Sequence, residues 1–412
     1  MLFQADRKWI PPRRRCLSAG RLRLLALLLP AMLCGACALP LVGPGQDVGR
    51  PGPAASPEPL LAVQVDLDYV YDPDTRQEQR NLRLLLARLA RLGVNTVFLQ
   101  AFADPDGNDG ADALYFPNRH LPMRRDLFAR TARAIRAQGI RVYAWMPLLA
   151  FDPGAAGRDL LVSQMGPNRT DPGRTPRLSP FHPRARRIIR EIYDDLAGHA
   201  SFDGILFHDD SVLSDFEDAS PAALAAYRQA GFPADLAALR SRPGLMRRWS
   251  RFKTRFVIDF TLSLVDMMRL RHPALRSARA IYGRAVLQPE SEQWLCQSLP
   301  LFLQAYDYSV ILAMPFLEQV ADPDRWLGNL AGRALFQALH SPALVFELQS
   351  VDWRNKKRVP TEVMRHQLAL LRHRGVTSLA WYPDDFFHDQ PKASLFRENS
   401  GQQSGSQAGG RF

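Results

Sequence analysis

The chain has 412 residues, 46% of them hydrophobic and 23% charged, with a formal net charge of +12. Those fractions are those of a globular protein, long enough for one large domain or two ordinary ones. The charge says less than it suggests, because the first 36 residues hold seven Arg or Lys against Asp6 alone. The remaining positive charge is mostly scattered Arg, without Lys/Arg blocks interleaved with aromatics, so nucleic-acid binding is excluded from the working readings.

A basic region ending at Arg23 leads into an apolar stretch, Leu24 to Leu33, followed by Cys34-Gly35-Ala36-Cys37. This is the layout of an export signal, and the stretch is too short to cross a bilayer as a stable helix. Gly-Ala-Cys after a leucine-rich core resembles a bacterial lipoprotein cleavage site with Cys37 as the acylated residue; cleavage after Ala38 is the competing reading. Of Cys16, Cys34, Cys37 and Cys296, only the last two survive processing, so no disulfide framework is expected. Residues 1–37 are thus assigned to the signal and its cysteine, 38–59 to a Pro/Gly-rich tether, 60–390 to the folded domain and 391–412 to a tail.

Between tether and tail, apolar strand-like runs alternate with amphipathic helical patterns. Strands are predicted at 61–68, 94–101, 140–147, 203–209, 278–286, 308–315, 342–349 and 376–383. Helical periodicity fills 80–93, 127–139, 185–199, 244–271 and 362–375, several ending in Gly before the next strand. Eight such units close a barrel, whereas five to seven favour an open sheet, so the fold class is α/β, a single (β/α)8 TIM-type barrel with long βα loops.

Active sites of this fold lie at the C-terminal ends of the strands. Those ends carry Asp66, Asp68, Trp145, Asp209, Asp210, Glu347, Trp381 and Tyr382. Carboxyls beside aromatics suit a carbohydrate: ring faces stack on sugars and acids bind hydroxyls or protonate glycosidic oxygens. The densest cluster is FDGILFHDDSVLSDFED, residues 202–218. Adjacent carboxyls at the mouth of a buried strand repel one another and are partly desolvated, both of which raise a pKa. The loop at 103–126 adds Tyr115, Asn118, Arg119 and His120 as candidate binding residues, and His208 stands beside the aspartates. The aspartates of DPDGNDG lack the spacing and terminal Glu of a calcium loop, and no HxxxH or HExxH pair occurs, so neither metal nor cofactor is expected. A GxSxG elbow is also missing.

VQVDLDYVYDPD, GVNTVFLQAFADPDG, ALYFPNRHLPMR, VYAWMPLLAFD and FDGILFHDDSVLSDFEDASP together resemble the C-terminal domain of PgaB-type proteins, over about residues 61 to 390. The resemblance implies a (β/α)8 glycoside hydrolase-like domain acting on partially de-N-acetylated poly-β-1,6-N-acetyl-D-glucosamine. It also implies a periplasmic lipoprotein tied to the outer membrane and working beside an export pore for biofilm exopolysaccharide. Full-length members carry an N-terminal deacetylase domain; only the tether precedes the barrel here, so N-deacetylase activity is not expected. Asp203-Gly204-Ile205 also resembles the start of the fourth strand in chitinase-type barrels. That alignment puts Asp210 at the proton donor's position, while Leu206 and His208 replace the inner aspartates. Asp210 is expected as general acid with Asp209 as second carboxylate, or the reverse. The alternative to an endo-acting glycosidase is a non-catalytic module that binds the polymer and guides it during export.

Overall fold

The computed structural model describes residues 57–108, 110–165, 176–339 and 341–397. The export signal, Cys37, most of the tether and the tail beyond Arg397 lie outside the described residues. The eight barrel strands are β1 (Ala62–Val65), β2 (Thr96–Gln100), β3 (Arg141–Met146), β4 (Gly204–Phe207), β5 (Arg276–Tyr282), β6 (Tyr308–Leu312), β7 (Leu344–Gln349) and β8 (Ser378–Tyr382). Each pairs in parallel with the next. Parallel strands covered by helices are buried on both faces, which is why the sequence shows apolar runs with little alternation. The ring nearly closes: Leu61 bridges Leu379, and Leu379 N donates to Leu60 O at 2.8 Å.

The surrounding helices are α1 (Thr75–Leu92), α2 (Phe128–Arg136), α3 (Pro183–His199), α4 (Pro243–Arg269), α5 (Leu299–Ala305), α6 (Pro323–Gln337) and α7 (Thr361–His373). Helix α1 begins five residues before the periodic pattern because Asp74 caps it, accepting from Arg76 N at 2.9 Å. It stops at Gly93, whose φ of 67° is left-handed. The fifth strand differs most from expectation. It spans 276–282, and Gly283–Leu287 is helical, because Tyr282 N leaves the sheet and donates to the Gln297 side chain at 2.9 Å. Inside the barrel, Gly204 lets Tyr143 cross the strand: a Cβ there would sit 2.3 Å from the ring.

Candidate active site

A connected wall of side chains stands at the strand C-terminal ends. The Tyr382 hydroxyl donates to Asp66 Oδ1 at 3.2 Å, joining the last strand to the first. The Trp145 ring lies edge-on to Tyr382 at 5.5 Å and 5.3 Å from the imidazole of His208. His208 Nε2 is 3.1 Å from Asp209 Oδ1, and the Asp209 charge acts in turn on Glu347 across the mouth. Five sequence-predicted residues outside the aspartate pair (Asp66, Trp145, His208, Glu347 and Tyr382) therefore meet where the strand ends converge.

Electrostatics separates these carboxyls. Glu347 is 2% exposed, and burial, reinforced by the Asp209 charge, pushes its pKa up to about 8. It therefore carries its proton at neutral pH. Burial first, and the neighbouring Asp68 second, also raise Asp66 well above the ordinary carboxylate range. Four buried polar atoms in this wall have no protein partner: Asp66 Oδ2, Trp145 Nε1, His208 Nδ1 and Glu347 Oε1. Gathered at one place, these four leave donors and acceptors available to a bound ligand.

Asp210 is held differently. Its Oδ1 accepts from Leu148 N at 2.8 Å, and its Oδ2 accepts from Leu149 N at 2.5 Å and Ala150 N at 2.8 Å. Both oxygens are engaged by the backbone of the turn after β3, which gives Asp210 an anchoring role. The expected division of labour between Asp209 and Asp210 changes accordingly: Asp209 faces Glu347 and Asp210 anchors the backbone. The remaining acids of the cluster are anchors too. Glu217 pairs with Arg177 at 2.8 Å, Asp218 accepts from Ser179 Oγ at 2.5 Å, and Asp215 accepts from Arg240 Nε at 3.0 Å.

Several other predicted binding residues lie elsewhere or are already engaged. Arg119 pairs with Asp194 and Asp195, and His120 Nε2 meets Glu191 at 2.6 Å, so both lie on the outer side of α3. Asn118 Oδ1 accepts from His120 N and Leu121 N, closing its own turn. Tyr115 is buried and donates to Asp68 at 2.6 Å, and Arg124 holds the same oxygen at 2.5 Å. Asp68 thus organises the loop after β2 from beside the mouth. Trp381 points away from the mouth, donating Nε1 to Asp384 at 3.1 Å and stacking on Phe396 at 3.8 Å. Neighbouring residues of a strand face opposite sides, so Tyr382 reaches the mouth and Trp381 cannot.

One contributor escaped the sequence reading. Trp353 stacks on Tyr382 with ring centroids 6.1 Å apart and planes 28° from parallel. It sits on a short hairpin after β7 (Val351–Asp352 pairing Lys357–Arg358), and a lone Trp in a Lys/Arg-rich loop was its only signal. The loop aspartates already singled out in the sequence gather into an acidic lip: carboxyl oxygens of Asp104, Asp106 and Asp112 lie within 4.8 Å of one another, and the lip acts electrostatically on Asp66 and Asp68. A separate groove of about 790 Å³, with Phe252, Phe256 and Arg255 in its lining, runs along α4 and shares no residue with the mouth.

The family model described as hypothetical glycosyl hydrolase family 13 matches residues 64–382. The chain belongs to this family. Its fold is similar to the glycoside hydrolase domain of PgaB (BpsB) from Bordetella bronchiseptica, with a TM-score of 0.79, 45% identity, and coverage of 82% of this chain and 98% of that domain. It is also 41% identical over 348 residues to the poly-beta-1,6-N-acetyl-D-glucosamine N-deacetylase of Escherichia coli K12, matching 82% of this chain. The chain spans 52% of the length of that curated relative. An alpha-L-fucosidase from Paenibacillus thiaminolyticus shares the fold at a TM-score of 0.56 and 14% identity, covering 83% of this chain and 49% of its own.

Proposed function

We propose that the mouth cleaves internal glycosidic bonds of partially de-N-acetylated poly-β-1,6-N-acetyl-D-glucosamine. The observation that carries this reading is Glu347, buried, protonated at neutral pH and coupled to Asp209 at the strand ends of a glycoside hydrolase family barrel. Glu347 donates its proton to the glycosidic oxygen as the bond from the anomeric carbon breaks, and the Asp209 carboxylate faces the positive charge that develops there. Water supplies the hydroxyl that completes the new reducing end, and its remaining proton returns to a carboxylate, so the site is regenerated.

The substrate assignment rests on the names of the similar proteins and on charge. Free amino groups of a deacetylated glucosamine polymer are cationic at neutral pH, and the partly exposed Asp104, Asp106 and Asp112 form an acidic lip electrostatically coupled to Asp66 and Asp68. Tyr382 and Trp353 offer an aromatic platform for a sugar face. We further propose that it works in the periplasm, held at the outer membrane through a lipid on Cys37, and passes polymer to an export pore.

The test is incubation of the full-length protein with partially deacetylated polymer, followed by sizing of the products. Shorter oligosaccharides from the wild type, with D209N and E347Q each inactive yet folded, support the reading. Binding without shortening would make the barrel a polymer-guiding module instead.

A further inference from the structure

Asp209 enters the mouth at the head of a segment whose following residues are tied down in turn. Asp210 anchors to the turn after β3, Ser211 Oγ accepts from buried Arg279, and the Val212 carbonyl accepts from Arg177. The loop that follows is held by the Arg240–Asp215 and Arg177–Glu217 pairs, and three of its backbone carbonyls converge on one further side chain. Lys253, fully buried on α4, donates Nζ to the carbonyls of Leu213 at 3.1 Å, Ser214 at 2.5 Å and Glu217 at 2.6 Å. Its ammonium also sits 3.9 Å from the Trp249 ring centroid. An ammonium has three N–H donors, and the loop presents three carbonyls to them.

Building on the proposed roles of Asp209 and Glu347, we infer that Lys253 is a positioning residue for the reaction. Its ammonium fastens the 213–217 loop to α4 and so fixes the angle at which Asp209 faces Glu347. A buried cation is a costly fastening, and an apolar side chain would pack the same space without it. What an apolar chain cannot do is satisfy three convergent carbonyls at once.

The chemistry of that fastening is pH-dependent. Burial lowers the Lys253 pKa to about 8, while the carboxylates of Glu217, Asp215 and Asp218 on the loop favour the charged form. Burial pushes the Cys296 thiol up to about 11, so it stays neutral where Lys253 titrates. A neutral amine has two N–H donors and a lone pair, and one of the three carbonyls then loses its partner. The folded pKa lies below the ordinary value of 10.5, so between the two values the unfolded chain binds more protons and this group makes folding stability rise with pH. Loss of activity through Lys253 is therefore separable from unfolding.

The experiment is the pH dependence of kcat/KM for wild type, K253R and K253M on partially deacetylated polymer, with thermal unfolding followed at each pH. The wild type should lose activity along a two-proton limb centred near pH 8, one proton for Glu347 and one for Lys253, and above about pH 8, where the Glu347 cost to stability is complete, the unfolding temperature should not fall with it. K253M should lower kcat about tenfold or more with KM nearly unchanged, and its limb should become a one-proton limb. K253R keeps the charge, so it should recover part of the rate and also show one proton; it decides the matter if K253M does not fold. A one-proton limb already in the wild type, or a two-proton limb retained in K253R, overturns the inference. Neither result touches the roles of Glu347 and Asp209, which fall only if E347Q and D209N remain active.

Discussion

At the residue scale, the mouth is governed by which carboxyls are free and which are spent. Glu347 has a free oxygen and a pKa of about 8 against an ordinary 4.5. Between those values the folded state keeps a proton that the unfolded chain releases, so stability falls as pH rises through that window, and the cost is complete above the folded pKa. At roughly 1.4 kcal/mol per unit the ceiling is about 5 kcal/mol, reduced in practice because a replacement amide is also buried and polar. E347Q should therefore be inactive and, at slightly alkaline pH, more stable by about 1–4 kcal/mol in urea titrations. Asp210 predicts the opposite pattern. An amide in its place would set an NH2 group against the N–H of Leu148, Leu149 or Ala150, so D210N should lose about 1–3 kcal/mol of stability. D209N should lose activity with less than about 1 kcal/mol of stability change, since its partly exposed side chain can relax.

At the element scale, the strands were readable and the loops were not, for a physical reason. A buried parallel strand must be apolar along its length, so β1 to β4 and β6 to β8 announce themselves, while β5 with Arg276, Ser277 and Arg279 does not. Strand ends brought Asp66, Trp145, His208, Glu347 and Tyr382 to one level, because a residue's position along a strand fixes its height in the barrel. Loop residues carry no such ruler. Arg119 and His120 have the chemistry of binding groups, yet the loop folds over α3, where Glu191, Asp194 and Asp195 take them up, and Asn118 is spent closing its own turn. Alternation also separates Trp381 from Tyr382, which composition at a strand end cannot do. The post-β7 hairpin gives the clearest element-level expectation. Trp353→Ala should raise KM for long polymer by about tenfold while leaving kcat within about twofold, as loss of a stacking platform removes binding common to ground and transition states. Steady-state kinetics on sized oligomers would check this.

At the scale of the whole molecule, a basic chain carries an acidic mouth, so its attraction for a cationic polymer is local. Exposed carboxylates such as Asp106 and Asp112 act through solvent, where salt screens them over about 8–10 Å. Raising ionic strength should lower kcat/KM for the deacetylated polymer several-fold and leave a fully acetylated one nearly unaffected. The barrel also has a seam. Between β1 and β8 the backbone contributes the Leu379-to-Leu60 bond, and much of the rest is side chain: Arg88 grips Asp384 at 2.7 Å, and Tyr382 reaches Asp66. That last bond is both part of the mouth and part of the closure. A sugar chain lying across Asp66 and Tyr382 would bridge the two edges of the sheet and act as a stitch between the first strand and the last. Amide hydrogen exchange at Leu379 and its neighbours should therefore slow when oligosaccharide binds, while exchange in β5, across the ring from the seam, stays as it was.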